Sequence, residues 1–241
     1  MEIREMLYEG KAKRLYATDD PDALYLKYKN SLTAFNAKKK AEMEGKGELN
    51  NMISSWIFRY LKSKGIDSHF IERIDELSQL VKPVTIVPLE VVVRNVTAGS
   101  ICRRLGVEEG MKLPRPLVEF YYKEDELDDP LVIRDHAVLF GWATDEELDR
   151  MTEMALTVDS VLTELLSSID IDLVDFKLEF GKDKEGNILL ADEISPDTCR
   201  FWQKGTRQSL DKDRFRKDLG DVLGAYREIW RRLSEKKEEE N

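Results

Sequence analysis

One segment, "DFKLEFGKDKEGNILLADEISPD" from residue 175 to residue 197, crowds charges in a pattern that chemistry can use. Read as strand, turn and strand, it sets Asp175, Lys177 and Glu179 on one face and Phe176, Leu178 and Phe180 on the other, because side chains alternate along a strand. Closing the hairpin over "DKEGN" brings Glu179 opposite Ala191 or Asp192. Two carboxylates that near repel unless a cation lies between them. Oxygen ligands without Cys or His suit Mg²⁺ held together with substrate phosphates. The alternative is a solvated edge strand whose charges are screened by Lys177. An apolar run that ends in Asp192, Glu193 and Asp197 is not what a merely solvated edge would carry.

Other charged groups invite similar readings. In "YEGKAKRLY", Gly10 falls in a turn between strands with Lys11 and Lys13 on one face, either a clamp for a nucleotide triphosphate or an ordinary basic turn. Arg94 offers a fork-shaped cation, and Ser100, as N-cap of a short helix in "TAGSICRRLG", offers a hydroxyl beside free amides, together a seat for a phosphate monoester. Arg200, Arg207, Arg214 and Arg216 add cations near the hairpin, with surface ion pairs of "DKDRFRKD" as the plainer account. His69 and His136 stand outside any nucleophile motif and receive no role.

The elements that must hold these residues are legible from periodicity. Alternation in the first 30 residues around "DDPD" predicts short antiparallel strands. Ile53, Trp56, Ile57, Tyr60 and Leu61 predict a helix over 49–64 capped at Gly65. Residues 68–96 return to strand character, with Pro83 and Pro88 expected to break "LVKPVTIVPLEVVVRNV" into pieces and "VKPVT" expected to connect two lobes. Thr144 and Glu147 have capping-box spacing ahead of a long helix with a stripe of Leu148, Met151, Ala155, Val158, Leu162 and Leu165. A last helix over about 212–235 is expected to bury Phe215, Leu219, Leu223, Tyr226 and Trp230.

Composition excludes several classes. A chain of 241 residues with 41% hydrophobic and 36% charged residues is globular in type. Its net charge of −10 opposes binding to a phosphate backbone. The two cysteines, Cys102 and Cys199, lack metal-ligand spacing and fit a reducing compartment. "MEIREMLYEGKAK" has charges where a signal peptide needs an apolar core, and no run approaches the roughly 18 apolar residues of a membrane span. A cytoplasmic protein is expected, with no nucleic-acid partner and no membrane.

Taken in order, "YEGKAKRLY", "SLTAFN", "VPLEVVVRNVTAGS", "LVDFKLEFG", "ADEISPDTCRFW" and "DKDRFRKDLG" resemble the phosphoribosylaminoimidazole-succinocarboxamide synthases, the SAICAR synthetases. The similarity runs through nearly the whole chain. It implies an α+β two-lobe fold, with a sheet-rich, kinase-like lobe over 1–85 and a larger lobe over 86–241. It also implies an ATP-dependent ligase that joins carboxyaminoimidazole ribonucleotide to L-aspartate in purine biosynthesis, with ATP as co-substrate, Mg²⁺ as cofactor and a homo-oligomer, a dimer first, as the assembly. Carried over by motif, Gly10, Lys11, Ala12 and Lys13 are ATP contacts, and the connection containing Lys82, Val84 and Glu90 receives adenine. Arg94, Ser100, Asp197 and Arg200 are substrate contacts, Lys123, Asp175 and Lys177 lie at the reacting centre, and Glu179 and Asp192 are the magnesium carboxylates. Many family members carry Asp where this chain has Asn36, which is expected to alter a polar contact near the substrates. No domain for the preceding carboxylation is fused to the sequence, so a single reaction is expected. A small-molecule kinase would use the same Mg-ATP cleft, but H-R-D and D-F-G signatures are absent. A non-catalytic nucleotide-binding module is the remaining alternative.

Overall fold

A computed structural model describes residues 1–34 and 38–239. Asn36 therefore lies outside the described residues. The chain runs through β1 (Ile3–Glu9), β2 (Lys13–Thr18), β3 (Leu24–Tyr28), β4 (Ser31–Ala34), β5 (Lys39–Glu42), α1 (Lys46–Ser63), β6 (Phe70–Arg73), β7 (Ser78–Val81) and β8 (Thr85–Val96). It continues with α2 (Ser100–Leu105), β9 (Lys112–Tyr122), β10 (Leu131–Val132), α3 (Arg134–Leu139), α4 (Asp145–Ser167), β11 (Ile171–Lys182), β12 (Ile188–Ala191), β13 (Cys199–Gln203), α5 (Asp213–Arg216) and α6 (Val222–Glu239). The architecture is α+β. One antiparallel sheet has the order β1-β2-β3-β7-β6, a second has β10-β9-β8-β11-β12, with β13 also on β11, and β4 and β5 pair as a separate two-stranded ribbon. Residues 82–84 link β7 of the first to β8 of the second.

Alternation on β8 and β11 gives the second sheet one dry face and one polar face. Val87, Leu89, Val91 and Val93 on β8, with Phe176, Leu178 and Phe180 on β11, are buried in one core. Helix α4 packs against these strands. Its capping box at Thr144 and Glu147 is formed, and its expected stripe is buried throughout. The opposite face carries Glu90, Val92 and Arg94 beside Glu179, Lys177 and Asp175, in antiparallel register. Strand β11 is central, so the solvated-edge reading of the hairpin is overturned: Asp175 and Glu179 are only 3% and 4% exposed.

Three local expectations need correction. Pro88 does not break β8, because the missing N–H falls where the pairing with β11 shifts, between Glu90 opposite Glu179 and Ile86 opposite Gly181. Ser100 is not an N-cap; Gly99 holds that position at φ +64° and Ser100 is the first helical residue. The last helix is two pieces, α5 and α6, because Asp218, Gly220 and Asp221 all take positive φ. Leu219 lies in that break and is half exposed, while Val222, Ala225, Tyr226, Ile229 and Leu233 form the buried face of α6. No helix among the described residues is long and apolar enough to cross a membrane.

Candidate active site

The polar face of the second sheet floors a cleft of about 860 Å³, roofed by the β1–β2 turn and β4. The turn contributes Gly10, Lys11, Ala12 and Lys13, the floor contributes Glu90, Arg94, Asp175, Lys177 and Glu179, and the far walls contribute Lys123, Asp192, Asp197 and Arg200. Residues distant in sequence thus meet because strand pairing aligns them. Asp175 stands opposite Arg94 on β8 and Arg200 on β13, and Glu179 opposite Glu90 on β8 and Ala191 on β12. The connection residues Lys82 and Val84 and the helix residue Ser100 are not among those lining the cleft. Lys82 donates its backbone N–H to the His69 carbonyl, and the Ser100 hydroxyl accepts from Arg94.

Charges in the cleft are paired before any ligand arrives. Glu90 and Glu179 face each other across β8 and β11, a repulsive arrangement that Lys177 relieves at 3.0 Å from Glu90 and 2.5 Å from Glu179. The same ammonium is 3.5 Å from Asp192. Lys123 bonds the other Glu179 oxygen, and Lys13 bonds Asp192 and lies 2.9 Å from Glu193. Burial pulls the Lys13 and Lys177 ammoniums toward neutrality, but the surrounding carboxylates outweigh it and hold both charged. Burial likewise opposes ionisation of Asp192, and Lys13, Lys177 and Lys123 overcome it, leaving its carboxyl far below the usual range. At the floor's other end Asp175 is clasped by Arg94 at 2.7 Å and Arg200 at 2.9 Å. Arg94 also bonds Glu119, Tyr121 and the Ala98 carbonyl, and Arg200 reaches Asp213 at 3.0 Å. Lys11, at the cleft mouth, bonds Asp125 at 2.6 Å.

Glu179 and Asp192 fit a magnesium ion. Both carboxylates lie within 3.5 Å of one ammonium nitrogen, which marks a point where positive charge is already favoured. Among the described residues no group of three or more Asp, Glu, His or Cys is arranged to hold a metal alone. That suits Mg²⁺, which keeps water and phosphate oxygens alongside one or two carboxylates.

Some residues of the site escaped the sequence reading. Asp197 was singled out, but both its oxygens are engaged, one by Lys46 at 2.6 Å and one by the Tyr226 hydroxyl at 2.5 Å, and the Lys46 partner was not foreseen. Lys212 lines the cleft with no hydrogen bond or ion pair of its side chain among the described residues. Burial pushes it down to about 8, with Asp197 opposing and Arg216 and Lys46 assisting. Of the four arginines noted near the hairpin, Arg200 and Arg216 enter this cleft, while Arg207 and Arg214 line a separate depression. His136 is exposed and His69 is buried.

The fold and site define an enzyme with a cleft of pre-paired lysines, arginines and carboxylates between its sheets. Residues 6–233 match the family model for SAICAR synthetase. The phosphoribosylaminoimidazole-succinocarboxamide synthase of Bacillus subtilis (strain 168) is 57% identical over 229 residues, covering 95% of each chain. The crystal structure of the synthase from Ehrlichia chaffeensis superposes with a TM-score of 0.93 at 47% identity, covering 95% of this chain and 98% of the other. A SAICAR synthetase solved in complex with ADP gives 0.92 at 50% identity, covering 95% and 97%. The chain belongs to the SAICAR synthetase family.

Proposed function

We propose that the cleft joins the carboxylate of carboxyaminoimidazole ribonucleotide to the amino group of L-aspartate, with ATP converted to ADP and phosphate. The observation that carries the reading in this chain is a floor of cations and carboxylates paired with one another, beside a lysine, Lys212, whose side chain has no hydrogen bond or ion pair among the described residues. A carboxylate is a poor acyl donor until its oxygen becomes a leaving group. Transfer of the γ-phosphoryl group to that oxygen, attack of the amine on the acyl carbon and departure of inorganic phosphate complete the reaction without an enzyme nucleophile. Alignment of the reactants supplies much of the barrier reduction, up to roughly 7–11 kcal/mol in favourable intramolecular cases.

In this reading Gly10, Lys11, Ala12 and Lys13 take the ATP phosphates, and the link from Lys82 through Val84 to Glu90 takes adenine. Arg94 and Arg200, held by Asp175 and with Ser100 on Arg94, receive the ribonucleotide phosphate. Lys123 and Lys177 swing from Glu179 to the charge that builds on the transferring phosphoryl oxygens. The two carboxylates thereby released, Glu179 and Asp192, would hold Mg²⁺, which neutralises phosphoryl charge when bound. Lys212 and Arg216 are then the cations left for the carboxylates of aspartate, with Asp197 fixing the wall beside them. The lobes divide as 1–85 for nucleotide and 86–241 for substrate and metal, in a cytoplasmic homodimer. The exposed Ile3, Met6, Leu7 and Tyr8 on edge strand β1 support an assembly of copies.

The test is ADP release from Mg-ATP and carboxyaminoimidazole ribonucleotide with and without L-aspartate. Aspartate-dependent turnover that disappears in an E179Q/D192N double variant is the expected result. ADP formed equally without aspartate would make the chain a kinase or an uncoupled ATPase.

A further inference from the structure

The turn that carries Lys212 is held by a buried carboxylate that takes no part in the steps above. Asp211 is 0% exposed and is not among the residues lining the cleft. One of its oxygens accepts the Phe201 N–H of β13 at 2.9 Å, and the other accepts the Asp213 N–H at the start of α5 at 2.7 Å. The carboxylate therefore bridges the backbones of two separate segments.

Both segments bring cations to the cleft. Phe201 directly follows Arg200 on β13, and the Asp213 carboxylate accepts from Arg200 at 3.0 Å and from Arg216 at 2.7 Å. Lys212 lies between the two acidic residues, and its own N–H donates to the Pro196 carbonyl at 3.0 Å. The bridge thus ends beside Arg200 on one side and, on the other, at the residue that holds both Arg200 and Arg216. Burial, with the Asp213 carboxylate adding to it, pushes the Asp211 carboxyl up to about 7, so a neutral side chain would sit there more easily. Geometry supplies the reason for an acid. Two N–H groups converge on the position, and an ionised carboxylate offers each an oxygen, whereas an amide offers one acceptor and a competing donor.

We propose that Asp211 is a positioning residue for both substrates, its carboxylate fixing β13 to the turn ahead of α5 so that Arg200, Lys212 and Arg216 keep the spacing that ribonucleotide and aspartate require. The inference rests on the reading of Arg200 as a contact of the ribonucleotide phosphate and of Lys212 and Arg216 as contacts of the aspartate carboxylates. A carboxylate that only fastened the fold would change the unfolding midpoint and leave the affinities of the folded chain as they are.

The experiment compares the full chain with D211N, D211A and K212Q. It measures the KM for carboxyaminoimidazole ribonucleotide, the inhibition constant of succinate (aspartate without its amine), ADP affinity and thermal unfolding. Asparagine keeps one acceptor and alanine keeps none. D211N is expected to raise the ribonucleotide KM and the succinate inhibition constant by about tenfold each, and D211A by about 100-fold, the scale on which a misplacement of about 1 Å is felt. ADP affinity should be unchanged in both, because Lys11 and Lys13 belong to the distant β1–β2 end of the cleft. Ribonucleotide KM and succinate inhibition in D211N equal to those of the unsubstituted chain would overturn the proposal, as would a loss of ADP affinity as large as the other two. Should D211A not fold, D211N alone still decides it. Succinate inhibition unmoved by K212Q would remove the reading of the carboxylate site, and the role of Asp211 there with it; inhibition weakened by K212Q but unmoved by D211N would remove only the role of Asp211.

Discussion

Asp175 and Lys212 illustrate two ways in which a charge is prepared for a substrate. Asp175 has both oxygens taken by guanidinium groups, which makes it a brace for Arg94 and Arg200. D175N should raise the KM for the ribonucleotide by about 10- to 100-fold, the worth of a charge-assisted hydrogen bond, and leave the shape of the pH–rate profile intact. Loss of the acidic limb of that profile would instead make Asp175 the general base. Lys212 is the opposite case, a cation whose side chain makes no ion pair among the described residues, with Asp197 acting on it only through space. Burial favours its neutral form and brings it to about 8, so the charged form that binds an anion prevails below that pH and declines above it. Succinate has the two carboxylates of aspartate but no amine, and both ionise well below pH 7. Its inhibition constant should rise about tenfold per pH unit above 8, and K212Q should be weak and flat across the range. A flat profile in the unsubstituted chain would exclude Lys212 from the anion site. The carboxylates of the hairpin were legible from strand alternation alone. Lys212 was not, because "DKDRFRKD" reads as ion pairs on a helix surface and only tertiary packing encloses it.

At the scale of elements, Asp197 ties together two helices from opposite ends of the chain. It joins Lys46 in α1 to Tyr226 in α6, and the contact to Lys46 spans 151 residues. Burial opposes its ionisation, and Lys46 chiefly reverses that, leaving the carboxyl depressed. A depressed carboxyl adds stability that is complete above its unfolded value near pH 4, and is lost as pH falls through the lower folded value. K46M strands the buried carboxylate and should cost about 3–5 kcal/mol in urea unfolding at pH 7. The deficit should shrink toward pH 5, as the stranded carboxyl takes up a proton. Y226F removes one hydrogen bond to a charged group and should cost about 1.5–3 kcal/mol. Equal stability of K46M at pH 7 would show that the pair contributes nothing. Periodicity foresaw both helices. It ran the second too far back, counting Phe215 and Leu219 into one stripe, although Gly220 at φ +70° with Asp218 and Asp221 in the left-handed region ends one helix before the next begins. Pro88 misled in the other sense, since a proline is admissible in a central strand where a register shift leaves no ladder hydrogen bond for it to break.

For the whole molecule, the informative contrast is between a net charge of −10 and a cleft proposed to receive two phosphorylated substrates and a dicarboxylate. Composition alone argued against polyanions and could not show the cleft, which forms only when the β1–β2 turn closes over β8 and β11; the resemblance, not the patterning, supplied it. The structure resolves the contrast by pairing: each lysine of the nucleotide end already holds a carboxylate, so an arriving phosphate does not add a contact but replaces one. Replacement alone gains little, because it leaves Glu179 and Asp192 facing the same anion. A divalent cation taken up by those two carboxylates converts the exchange into a gain. Thermal unfolding should therefore rise little with ADP alone and by about 5–10 °C with ADP and Mg²⁺ at a hundredfold excess over Kd, where linkage supplies about 2.7 kcal/mol. Added salt should erode that shift while barely moving the ligand-free midpoint, since the enclosed pairs are screened far less than an approaching nucleotide. In E179Q/D192N the magnesium-dependent part should vanish. A shift of equal size with and without Mg²⁺ would mean that the lysines bind phosphate without releasing their carboxylates, and that the pairing is a permanent part of the fold.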